Sequence, residues 1–70
     1  MPDKLTSYIA NRLKQIRVEK HLTQAALAQK AGTNTNYYAK LERGEATPSL
    51  RMLQKVVKAL GVGSSDVLPF

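Results

Sequence analysis

Three glycines, Gly32, Gly44 and Gly61, each fall where a run of apolar residues at helical spacing stops, and no segment between them alternates apolar with polar residues. A half-buried strand requires that alternation, so the punctuation leaves only short helices. Helices this short are marginal alone and gain their stability by packing apolar faces together. The chain has 70 residues, a length that allows one domain with a small core. The predicted architecture is therefore all-α: a compact bundle of four to five short helices, one domain spanning residues 1–70.

The first predicted helix carries Leu5, Ile9, Leu13 and Ile16 at steps of four, four and three, the spacing of one helix face, with Arg12, Lys14 and Lys20 elsewhere. His21 and Leu22 form a short connection. Thr23 can cap a second helix, whose inner face is Leu27, Ala28 and Ala31 and whose end is Gly32. Asn34 is suited to cap a third helix that buries Tyr38 and Leu41 and stops at Gly44. The sequence Glu45-Ala46-Thr47-Pro48 reads as a loop, with Thr47 as cap and Pro48 at the first helical position. Leu50, Leu53, Val56 or Val57, and Leu60 then follow at helical spacing to Gly61, and residues 64–68 allow one last turn.

Function is bounded by what the chain lacks. It has no Cys, one His and only five acids, Asp3, Glu19, Glu42, Glu45 and Asp66, which leaves no thiolate metal site and few groups for acid-base chemistry. An enzyme, a metal site and a cofactor are not expected. No apolar run approaches bilayer length and the first residues lack the apolar core of a signal peptide; the default expectation is a cytoplasmic protein with no membrane partner. Eleven Lys and Arg give a formal charge of +6, and a field of that sign attracts polyanions, nucleic acid first.

The second and third helices are joined by a few residues containing a glycine, the geometry of a helix-turn-helix over about residues 23–43. Thr23-Gln24, Leu27-Ala28, Gly32, Leu41-Glu42-Arg43-Gly44, Pro48-Ser49-Leu50 and Ala59-Leu60-Gly61-Val62 together resemble the Cro and phage-repressor (XRE) family of DNA-binding domains, from about residue 9 to residue 68. Ala28 fits close approach of the two helices, and Gly32 fits a turn of positive φ. These residues report the fold; function has to be read from the contact residues.

The resemblance implies that the third helix enters the major groove of double-stranded DNA with its first residues on base edges. By similarity, base contact falls to Thr35, Asn36 and Lys40, with Tyr37 on a base methyl or a phosphate. The Asn36 amide can both donate to and accept from one adenine edge, a pairing worth roughly 1–3 kcal/mol of discrimination. Phosphate contact falls to Thr23, Gln24, Asn34 and Arg43, where exposed helix N-termini already favour an anion. Arg17 and Glu42 match an ion pair tying helix 1 to the end of helix 3.

Several positions depart from the family pattern. Ala25 and Ala26 stand where many relatives carry acids, so no capping box forms. Thr33 and Tyr38 replace aliphatic residues, and Tyr38 must find a partner for its hydroxyl. His21 stands where a small residue usually closes helix 1, while Ser64 and Ser65 weaken the final helix. Since one such domain reads few base pairs, a homodimer on a palindromic site is expected, with Val62, Val67, Leu68 and Phe70 as the candidate interface. The implied role is a sequence-specific transcriptional regulator, a repressor or controller-type protein. The alternative is a protein-interaction module on the same fold, binding a toxin or the transcription machinery.

Overall fold

The computed structural model describes residues 3–70 and contains four α-helices: α1 (Lys4–Glu19), α2 (Gln24–Ala31), α3 (Thr35–Glu42) and α4 (Leu50–Leu60). A single 3-10 turn, Ser64–Asp66, follows. No strand occurs among the described residues, so the all-α expectation holds.

Each helix begins on a side-chain oxygen that takes up one of the backbone N–H groups left without a partner in the first turn. Asp3 Oδ1 accepts from Thr6 N at 2.7 Å, Thr23 Oγ1 from Ala26 N at 3.0 Å, Asn34 Oδ1 from Tyr37 N at 2.7 Å and Ser49 Oγ from Met52 N at 3.1 Å. The last corrects the sequence reading: Ser49, not Thr47, caps α4, and Pro48 lies before the helix. Two hydroxyl residues two positions apart flank that proline, and only the fold selects between them.

All four helices close in the same way. The first or second residue past the helix turns left-handed and its N–H bonds back three residues, while the next N–H bonds back five, which satisfies two terminal carbonyls. In α2 these bonds run from Gly32 N to Gln29 O (3.1 Å) and from Thr33 N to Ala28 O (2.9 Å). Gly44 and Gly61 play the same part after α3 and α4, with φ of 73° and 74°. After α1 the position is held by His21, at φ 58°. Its N–H donates to Val18 O at 3.0 Å and that of Leu22 to Arg17 O at 3.1 Å. A side chain there carries a steric cost that the three glycines avoid.

The core draws on every helix: Ile9, Leu13 and Ile16 of α1, Leu27, Ala28 and Ala31 of α2, Tyr38 and Leu41 of α3, and Leu53, Val56, Val57 and Leu60 of α4. Two residues expected on apolar faces lie outside it. Leu5, in the first turn of α1, is 44% exposed, and Leu50 is 87% exposed at the start of α4. Helix α2 packs against both α3 and α4, and α1 packs against α3. Arg12 Nε donates to Asp66 O at 2.8 Å, which fastens the 3-10 turn to α1 and directs Val67 into the core.

Candidate nucleic-acid interface

Helix α3 has two unlike sides. Tyr38, Leu41 and Glu42 are buried; Thr35, Asn36 and Lys40 are exposed, and Tyr37 is half-buried against the core. Thr35 and Asn36 have poor helix propensity, yet they occupy the first turn, where Asn34 supplies the cap and buried neighbours hold the rest of the helix. The polar opening of the helix is thus an outward face on a rigid support.

That support centres on Glu42, whose side chain is almost wholly enclosed. Arg17 grips it with a fork: Nε donates to Oε2 at 2.6 Å and Nη2 to Oε1 at 3.1 Å, while Arg17 Nη1 donates to Leu22 O at 2.7 Å. Gln24 Nε2 also donates to Glu42 Oε1, at 3.1 Å. One carboxylate therefore joins α1, the start of α2 and the end of α3. Burial by itself would raise the Glu42 pKa, but the bonds from Arg17 and its other neighbours outweigh burial and hold it below the ordinary carboxylate value. Its hydrogen bond to Glu42, opposed by partial burial, raises Arg17 in turn.

Tyr38 is fully buried beside this pair. Burial first, and the Glu42 carboxylate second, push its hydroxyl far above the normal tyrosine range, so it remains a neutral O–H. The hydroxyl feels the carboxylate but makes no aligned hydrogen bond. The partner that the sequence reading required is not supplied.

The expected phosphate contacts are distributed as follows. The oxygens of Thr23 and Asn34 are occupied as caps, which leaves the Thr23 O–H and the Asn34 amide N–H groups free to donate outward. Gln24 commits one amide N–H to Glu42 and retains the other. The exposed Arg43 pairs with Glu45 (Nε to Oε2, 2.6 Å), a solvated pair that a phosphate can displace at little cost. The two acids closest in sequence to the exposed face of α3, Glu42 and Glu45, are each matched by an arginine, so the surface is not acidic. Sequence reasoning missed the bond from Gln24 to Glu42 and the anchoring by Arg12, both of which join residues far apart in the chain.

The candidate interface residues at the C-terminus divide. Val67 is fully buried and belongs to the core, so it is removed from the exposed set; the bond from Arg12 to the neighbouring Asp66 carbonyl was not visible in a short apolar tail. Val62 and Leu68 are half-buried and Phe70 is 83% exposed. Val62 and Leu68 line, with Leu53 and Val57, an open groove of about 450 Å³ that has Leu50 at its edge.

A family model for helix-turn-helix domains matches residues 13–67. The chain belongs to the helix-turn-helix family. The resemblance drawn from Thr23-Gln24 through Leu60-Gly61 therefore stands. The chain is similar to an immunity repressor protein of Bacillus phage phi105, 42% identical over 60 residues that cover 86% of this chain and 42% of the repressor. It is also similar to the control protein C.BamHI of Bacillus amyloliquefaciens, 32% identical over 71 residues, 100% of this chain and 88% of that protein. Among solved structures, the restriction-modification controller protein C.AhdI from Aeromonas hydrophila superimposes with a TM-score of 0.87 at 28% identity, covering 90% of this chain and 96% of the other. This helix-turn-helix chain thus spans less than half of the phage repressor but most of the two controllers.

Proposed function

We propose that this helix-turn-helix protein is a sequence-specific, double-stranded DNA-binding transcriptional regulator that acts in the cytoplasm without catalysis, as a dimeric repressor or controller reading a palindromic operator. The observation that carries this reading is the exposure of Thr35, Asn36 and Lys40 on the first turns of α3, above a buried Arg17–Glu42–Gln24 cluster that fixes the helix against α1 and α2. Placed in the major groove, this face sets Asn36 toward an adenine edge and Thr35, Tyr37 and Lys40 toward neighbouring positions. Thr23, Gln24, Asn34 and Arg43 flank it with N–H and O–H donors for phosphates, which set register without reading sequence.

The domain measures 27 × 23 × 22 Å, whereas half-sites of a symmetric operator recur at roughly 34–36 Å. One copy therefore covers one half-site. The groove beside Leu50, with Val62, Leu68 and Phe70, is the surface we assign to the second copy. The same exposed apolar groove is the feature that favours the alternative, a module whose main partner is another protein such as a toxin or the transcription machinery.

Titration with duplex DNA at two salt concentrations separates the two. Phosphate contacts release counterions, so affinity falls with salt at a logarithmic slope of about −0.9 per phosphate neutralised. A steep slope together with sequence preference supports the regulator; binding that is weak and indifferent to sequence favours the alternative.

A further inference from the structure

Helix α4 buries Leu53, Val56, Val57 and Leu60 and sends its opposite face to solvent. That outer face carries Arg51, Lys55 and Lys58, at steps of four and three residues, and the helix contains no carboxylate. These three cations therefore form one ridge, roughly 10 Å long at the helical rise. Across a shallow depression of about 430 Å³ stands Lys30, from the last turn of α2, and the floor between the lysines is Ala31, Gly32 and Ala59. None of the four cations takes part in an ion pair among the described residues.

We infer that this depression is a docking surface for an acidic segment of a partner protein, one that sets carboxylates against Lys30, Lys55 and Lys58 and places a small apolar side chain on the Ala31-Gly32-Ala59 floor. Two observations direct the inference to protein rather than nucleic acid. First, the depression is lined by the end of α2 and by α4, with no residue of α3, so it is a different surface from the one that carries Thr35, Asn36 and Lys40. Second, the floor between the lysines is Ala31, Gly32 and Ala59, and an acidic peptide can set an alkyl side chain on it beside its carboxylates. Complementary charge draws the partner in and selects against basic competitors. The surface adjoins the groove assigned to the second copy, since Lys58 borders both, while Lys30 and Lys55 line the depression alone.

The test uses the whole chain, labelled with nitrogen-15, and two synthetic peptides: one alternating Glu with Leu and Ala, and one with every apolar residue replaced by Ser. The first peptide is expected to shift the amide signals of Lys30, Gly32, Lys55 and Ala59 and to leave Thr35 and Asn36 unmoved. The Ser peptide is expected to bind more weakly. Charge reversal in Lys55→Glu/Lys58→Glu is expected to weaken binding of the first peptide by roughly tenfold or more; Lys55→Gln/Lys58→Gln gives a smaller loss of the same sign. The inference is overturned if the peptide shifts α3 instead, if both peptides bind alike, or if the variants bind as the parent does. It is also overturned if a 20-base-pair duplex shifts the same four signals and Lys55→Gln/Lys58→Gln weakens duplex binding, since the ridge then belongs to the DNA interface. Duplex binding is measured on the same sample, so failure of the DNA reading and failure of this one are told apart.

Discussion

Glu42→Gln tests how α3 is held. The substitution keeps the volume of the side chain but removes its charge and turns one acceptor oxygen into a donor amide, at a site where the side chain is 2% exposed and three donor contacts converge. At least one of Arg17 and Gln24 then faces a donor, and the Arg17 guanidinium, itself only 12% exposed, loses its counter-charge. Removing one partner of a buried pair costs about 3–5 kcal/mol. A domain of this length has a total stability of roughly 4–10 kcal/mol, so the variant loses a large share of it. Urea denaturation followed by circular dichroism measures the loss directly. In a double-mutant cycle built on Arg17→Met and Glu42→Leu, the double variant should lose less than the sum of the two single variants, because no charge is then left buried without its partner. A loss below about 1 kcal/mol for Glu42→Gln, with additive effects in the cycle, would refute the claim that this carboxylate ties the three helices together.

Other perturbations follow from single contacts. His21→Gly should raise stability by about 0.5–1 kcal/mol, since glycine removes the left-handed strain of about 1–2 kcal/mol and returns part of it as unfolded-chain entropy; in thermal unfolding this is a rise of a few degrees, absent in His21→Ala. Tyr38→Phe should leave stability unchanged or raise it by about 1 kcal/mol, because it deletes a buried hydroxyl with no aligned partner. Glu42 has a folded pKa below its ordinary value of 4.5, so its contribution is present above that value and is lost as pH falls through the lower, folded one. Acid titration of the melting temperature should therefore show a decline below about pH 4.5 that is reduced in Glu42→Gln. Gln24→Ala should weaken binding to all duplexes and also lower stability, since the side chain bonds Glu42 and is proposed to donate to a phosphate.

Much of this arrangement was legible in the sequence because the signals were local. Thr23, Asn34, Gly32, Gly44 and Gly61 act within three to five residues of themselves, and backbone chemistry alone places them. The outward set on α3 was legible for a related reason: with Tyr38 and Leu41 inward, Asn36 and Lys40 have to face solvent. What the sequence did not reveal depends on distant partners. Gln24 and Glu42 lie 18 residues apart and Arg12 and Asp66 lie 54 apart, and no local pattern joins either pair. Leu5, Leu50 and Val67 were misplaced because apolar spacing shows which face a residue shares and not how far the bundle extends. The choice between Thr47 and Ser49 as cap likewise waited on the fold, since both residues suit the role chemically.

The central claim, that the first turns of α3 read base pairs from a fixed scaffold, is tested most directly by selecting duplexes from a random pool with the parent protein and with Asn36→Ala. The parent is expected to recover a two-fold symmetric site, and the variant the same site with an A·T preference lost at one symmetric position. If the pool is not enriched, or if both proteins recover an identical site, Asn36 does not read a base and the account is contradicted.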